Sequence, residues 1–176
     1  MAVDIESLAA FYKKPLGELA QRLVLTRIRQ AWPNLSGQRV LGYGFAIPYL
    51  FTFHGDAERV VAAVPVQEPV TEPIERAACW LPTARNLSAI VSETHLPFPD
   101  AMFDRILLVH GLENCEAERP FMRELWRVLA PEGRLIMVVP NRASLWAQLE
   151  TTPFAAGRPY TRVQLARLLE QSLFTA

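Results

Sequence analysis

His110 closes the apolar run Phe103-Asp104-Arg105-Ile106-Leu107-Leu108-Val109, and Glu113 follows three positions later. An imidazole titrates near neutrality, so a histidine at a strand end can move a proton or present a polar wall to a ligand. It can equally be a strand-end residue that hydrogen-bonds a neighbouring loop. Glu113 either orients the ring or starts the following helix. A second feature lies in Arg39-Val40-Leu41-Gly42-Tyr43-Gly44-Phe45-Ala46-Ile47-Pro48-Tyr49-Leu50, a short apolar strand that runs into a glycine turn. Small residues in such a turn let the backbone approach a nucleoside-bearing ligand closely. The alternative is a bare strand-to-helix turn. Asp100 and Asp104 resemble a pair of catalytic carboxylates but read as residues shaping the turn before the apolar run. Asn141-Arg142 either touches a substrate or forms a solvated turn.

Other chemistries find little support. The three histidines are scattered without ligand spacing, and no serine or cysteine has a partnered base. Cys79 and Cys115 lack a C-x-x-C partner, which suits a reducing cytoplasm. Gly42-x-Gly44 begins like the dinucleotide fingerprint, but its third glycine would fall on the branched Ile47. Lys plus Arg and Asp plus Glu both number 18, so the net charge offers no argument for nucleic acid or an anionic membrane. No apolar run approaches membrane-spanning length, and the first residues carry acids where a signal peptide carries bases. A cytoplasmic protein is expected.

The elements that must hold these residues follow from periodicity. Leu8, Phe11, Tyr12, Leu16, Leu19, Leu23, Leu25, Ile28 and Trp32 recur mostly at helical steps, broken by Pro15 and Gly17. Two helices are predicted, over 4–13 and 15–31. Tyr12 is either an amphipathic packing residue or part of a lid over a ligand. Near-continuous apolar runs at 38–43, 60–64, 86–92, 103–110 and 133–140 predict strands covered on both faces, as in a parallel sheet. A helix over 117–130 joins the last two strands and ends at the turn Pro131-Glu132-Gly133. Residues 66–86 allow one short helix near 72–78. Thr161-Arg162-Val163-Gln164 is a capping box opening a helix over 162–173. The segment 152–160, turn-rich and partly aromatic, either folds over a cleft or links two elements.

The glycine turn, Leu96-Pro97-Phe98-Pro99-Asp100-Ala101-Met102-Phe103-Asp104 and Glu124-Leu125-Trp126-Arg127-Val128-Leu129-Ala130-Pro131-Glu132-Gly133-Arg134-Leu135 occur in that order. Together they resemble a class I S-adenosylmethionine-dependent methyltransferase of the type 11 branch, over residues 38–142. The resemblance implies a Rossmann-like three-layer α/β sandwich with a mostly parallel sheet in the order 3-2-1-4-5. It implies S-adenosylmethionine as cofactor and methyl transfer to a small molecule. The donor-binding set it implies is Gly42, Tyr43, Gly44, Ala46, Gln67, Glu93 and Val109, with His110 lining the methyl site.

The family's D-x-G-x-G-x-G pattern is matched in place at Gly44 alone among its glycines. Gly42 stands where the first acid is usual, while Ala46 and Pro48 hold the other small positions. Gln67 or Glu68 takes the place of the ribose-binding acid, and Ser92 beside Glu93 that of the adenine-binding one. Hydrogen bonds to charged partners contribute about 1.5–3 kcal/mol each, so two losses weaken donor binding by orders of magnitude. A second reading follows, a methyltransferase-like binding or regulatory module without donor. Gly42→Asp is expected to tighten binding if the turn holds the donor.

One domain over 1–176 is expected, with N-terminal helices over 1–36, the core over 37–142 and a C-terminal segment over 143–176. The sixth and seventh strands of the family fold have no counterpart in the sequence. An open fifth-strand edge is sticky, so a homodimer or reliance on a further C-terminal part is expected.

Overall fold

The apolar runs pair into one parallel five-stranded sheet in the order β3-β2-β1-β4-β5. The computed structural model of the chain describes residues 5–65, 87–143 and 158–175. The strands are β1 (Arg39–Gly44), β2 (Arg59–Pro65), β3 (Leu87–Val91), β4 (Phe103–Val109) and β5 (Leu129–Val138). The helices are α1 (Ile5–Tyr12), α2 (Pro15–Ala31), α3 (Ile47–Leu50, continued by a 3-10 turn over Phe51–Phe53), α4 (Glu118–Val128) and α5 (Arg162–Gln171). The expected strand order and the Rossmann-like architecture are both present. The predicted short helix near 72–78 lies outside the described residues. So does most of the segment 152–160.

The two-residue period of β1 and β4 divides the core. Leu41, Tyr43, Ile106 and Leu108 face one side and pack against Phe121, Leu125 and Val128 of α4 and Leu168 of α5. Val40, Leu107 and Val109 face the other and meet Ile28, Trp32, Tyr49, Leu50 and Phe53. Strands buried on both faces have no room for alternating polar residues, which accounts for the near-continuous apolar runs. Burying a side chain such as Phe121 contributes up to about 3 kcal/mol.

β1 pairs with both β2 and β4, through Gly42↔Ala62 and Gly42↔Leu107 among others. Chain connections leave in opposite directions on its two sides, so the crevice between the carboxyl ends of β1 and β4 is the switch point where ligands bind in such sheets. β5 differs from expectation by starting earlier. Leu129 already pairs with Phe103, and the register then shifts so that Arg105 meets Arg134. Pro131 has no amide hydrogen to donate and Glu132 has a φ of 62°, so the expected turn is absorbed as an irregularity within the strand.

Helix starts follow local chemistry. Pro15 occupies the first turn of α2 after an extended Lys14, a position that tolerates its missing donor. Thr161 and Gln164 form the capping box of α5, each side chain meeting the other's backbone amide. The LPFPD and ELWRVL stretches meet in space. Arg127 donates to the carboxylates of Glu124 and Asp100 and to the carbonyls of Leu96 and Phe98. Glu124 also accepts from the Leu96 amide. Asp104 receives the Arg39 amide and guanidinium. Both aspartates are therefore structural, as expected.

Candidate functional site

The turn at the carboxyl end of β1 is made by Gly44, whose φ is 75°. A Cβ there would strike the Val109 carbonyl, and that carbonyl accepts from the Phe45 amide at 2.7 Å. Only glycine permits this approach of the two strand ends. Across the switch point His110 also takes a left-handed backbone, φ 49°, with its amide donating to the Val138 carbonyl. Such a conformation is unusual for a residue with a side chain and points to a functional or structural constraint. It aims the imidazole back over the sheet end.

His110 and Glu113 are joined there. Nδ1 of His110 lies 2.8 Å from Oε1 of Glu113, with the two side chains 4% and 0% exposed. On its other side Nε2 lies 2.7 Å from the Tyr12 hydroxyl. The Tyr12 ring stacks on Phe45, the residue after Gly44, with centroids 5.1 Å apart. α1 thus lays an aromatic ring over the glycine turn and bonds the strand-end histidine. Burial pushes the Tyr12 hydroxyl well above the ordinary phenol range, with Tyr49 and Glu113 adding to the shift. It stays protonated, within hydrogen-bond distance of Nε2. Glu113 meets the other ring nitrogen, so both nitrogens of His110 are engaged. One buried polar atom near this chain, Oε2 of Glu113, has no hydrogen-bond partner among the described residues.

The other residues expected to hold a donor are placed as follows. Gly42 is buried in β1, where a Cβ would come within 2.5 Å of Leu50 Cδ1 and 2.8 Å of Ala46 Cβ. The Tyr43 side chain turns into the α4 face, with its ring 4.5 Å from that of Phe121. Ala46 is buried beneath α3, and the Val109 side chain packs on the same face while its carbonyl faces the turn. Glu93 accepts from the Cys115 thiol at 3.2 Å and the Glu116 amide at 3.1 Å. Burial and Glu93 push that thiol far above its usual range. Gln67 lies outside the described residues. Gly44, Val109 and His110 therefore converge, whereas Glu93 serves the loop before α4. Asn141 forms a bridge with Tyr160.

Sequence reasoning did not find the Tyr12–His110 bond, because its partners are 98 residues apart. Nor did it find Phe45 as the stacking partner or Tyr49 as a buried polar neighbour. The only signal was the aromatic spacing of α1, which a packing helix also shows. A cavity of about 950 Å³ between α2, β5 and the start of α5 borders neither Gly44 nor His110. Among the described residues there is no cluster of side chains able to hold a metal, and no helix is long and apolar enough to cross a membrane.

The family model of a methyltransferase domain matches residues 41–137, more than half of the chain. The chain belongs to the methyltransferase domain family. S-adenosylmethionine is the cofactor that this membership implies. Demethylmenaquinone methyltransferase of Deinococcus radiodurans is 42% identical over 43 residues, 24% of this chain and 18% of that protein. A ubiquinone/menaquinone biosynthesis C-methyltransferase, UbiE of Laribacter hongkongensis, is 34% identical over 62 residues, 35% of this chain and 25% of that protein. The matched stretches thus amount to a quarter or less of these relatives' length. Among solved structures the [4+2]-cyclase SpnF superposes with a TM-score of 0.67 at 22% identity, covering 91% of this chain and 58% of that one. A SAM-dependent methyltransferase from Aquifex aeolicus gives 0.65 at 18% identity, covering 85% and 78%. These likenesses show the fold. The cyclase among them is a reminder that the same sheet carries more than one chemistry.

Proposed function

We propose that this methyltransferase-family chain transfers a methyl group from S-adenosylmethionine to a small-molecule acceptor at the carboxyl ends of β1 and β4. The observation that carries the reading is the buried chain Tyr12–His110–Glu113 beside the Gly44 turn. The residues present fit a cationic donor at two points. Glu113 Oε2 is a buried oxygen without a partner among the described residues, suited to a positive group, and Gly44 offers backbone unencumbered by a side chain. Gly44, Glu113 and Tyr49 would hold the donor, with Tyr12 closing over it. When bound, the donor supplies a methyl group already activated on a positively charged sulfur.

The chain's own residues then supply position and a proton acceptor. Glu113 holds the His110 ring so that Nε2 keeps its lone pair. Tyr12 donates to that lone pair and shields it. The acceptor's proton would pass to the Tyr12 oxygen while the Tyr12 proton passed to Nε2, and the freed nucleophile would take the methyl group as the carbon–sulfur bond broke and S-adenosylhomocysteine left. The acceptor thus loses one proton, His110 gains one, and Tyr12 is unchanged. For the donor to enter, Tyr12 and its helix must first swing off Phe45.

The filled space at Gly42 favours a second reading, a methyltransferase-like binding or regulatory module that has lost donor binding. Calorimetric titration with S-adenosylhomocysteine separates the two. Micromolar affinity that falls with Gly44→Ala supports methyl transfer. Absence of heat at millimolar ligand refutes the donor site and leaves the binding module.

A further inference from the structure

Arg119, Arg142, Arg158 and Arg167 line one concavity of about 620 Å³. They come from separate elements: the first turn of α4, the residues after β5, the approach to α5, and α5 itself. All four are exposed. The carboxylate lining the same space, Glu118, is already engaged, accepting from the Tyr160 hydroxyl at 2.8 Å and lying 3.6 Å from Arg158. Arg119 donates to the neutral Gln171. The side chains of Arg142 and Arg167 have no hydrogen bond or ion pair among the described residues. In a chain with equal numbers of acids and bases, four guanidinium groups facing one occupied carboxylate form a local excess of positive charge. The first turn of α4 adds to it, since that helix has no side-chain cap at its N-terminus. Guanidinium forks approaching from several directions match a tetrahedral dianion better than a planar carboxylate. The volume is that of a small-molecule site.

The wall of this concavity is tied to the candidate active site. The Arg158 amide donates to the Glu113 carbonyl at 3.0 Å, and the Tyr160 hydroxyl reaches the Leu112 carbonyl. We propose that the concavity binds a phosphate monoester. Resting on the methyl-transfer reading, that phosphate belongs to the methyl acceptor and anchors it beside the His110 loop.

The test is calorimetric titration of the chain with glycerol 3-phosphate, alongside the double variant Arg142→Ala/Arg167→Ala. Both side chains are exposed and make no hydrogen bond or ion pair among the described residues, so the variant should melt like the parent. Saturable binding that weakens roughly tenfold per arginine lost, and only partly in Arg142→Lys/Arg167→Lys, supports the proposal. Absence of saturable binding, or binding that the alanine variant leaves unchanged, overturns it. Two further probes are vesicles of phosphatidylcholine with phosphatidic acid and a short oligonucleotide. Arginine-dependent binding to either in place of glycerol 3-phosphate overturns the small-molecule assignment. The titration needs no methyl donor, so phosphate binding in a chain that ignores S-adenosylhomocysteine keeps the anion site and discards only its role as acceptor anchor.

Discussion

The Tyr12 hydroxyl lies 2.7 Å from Nε2 of His110, and this bond carries the N-terminal helix to the centre of the sheet. Its removal can be separated from loss of the ring. Tyr12→Phe keeps the stack on Phe45 and should cost about 1 kcal/mol in chemical denaturation. Tyr12→Ala loses the buried ring as well and should cost about 3–5 kcal/mol. If Tyr12 also covers the donor, Tyr12→Phe should speed the association of S-adenosylhomocysteine in stopped-flow fluorescence.

Gly42→Asp was expected from the family pattern to tighten donor binding. The geometry predicts otherwise, because Leu50 and Ala46 occupy the space of the new side chain. The variant should lose about 1–3 kcal/mol of stability through overpacking, with no gain in affinity by calorimetry. Adding Leu50→Ala should return part of the loss. The double variant would then be more stable than the sum of the single effects predicts.

Gly44→Ala places a methyl group against the Val109 carbonyl at a φ of 75°. Left-handed backbone costs a side-chain-bearing residue about 1–2 kcal/mol before the clash is counted. The variant should unfold at lower denaturant with its slope unchanged.

Stability should fall in acid. The Arg39 hydrogen bonds hold the Asp104 carboxyl below its usual range, and Arg127 does the same for Glu124. A carboxyl with a lower pKa folded than unfolded contributes stability in full above the unfolded value, about 4, and loses it as pH drops through the folded value. Denaturation midpoints should therefore decline below about pH 4, and Asp104→Asn should flatten that decline while lowering stability at neutral pH. Both carboxylates are partly solvated, so salt should weaken the effect.

The strands β1, β2 and β4 were legible because each has a buried run on both faces and so little polar interruption. β5 was the exception. Its Pro131-Glu132-Gly133 reads as a turn, and only the pairing of Leu129 with Phe103 extends the strand through it. The motifs shared with the family were legible as words but not as a structure. Nothing in Leu96-Pro97-Phe98-Pro99-Asp100 says that Arg127 will gather its carbonyls. Within the candidate site, the glycine turn at Gly44 and the strand-end position of His110 were legible, because both follow from local sequence. The bond from Tyr12 to His110 and the arginine concavity were not legible, because contacts between residues distant along the chain leave no local period.

β1 and β4 each have a hydrogen-bonded neighbour on both sides, whereas α1 is two turns long and rests chiefly on Leu8, Phe11 and Tyr12. Amide protons of the central strands should thus exchange with solvent only on global unfolding, and those of α1 through smaller, more frequent openings. Each such opening would uncover His110 while its own strand stays intact, making access to that imidazole a matter of how often one short helix lets go.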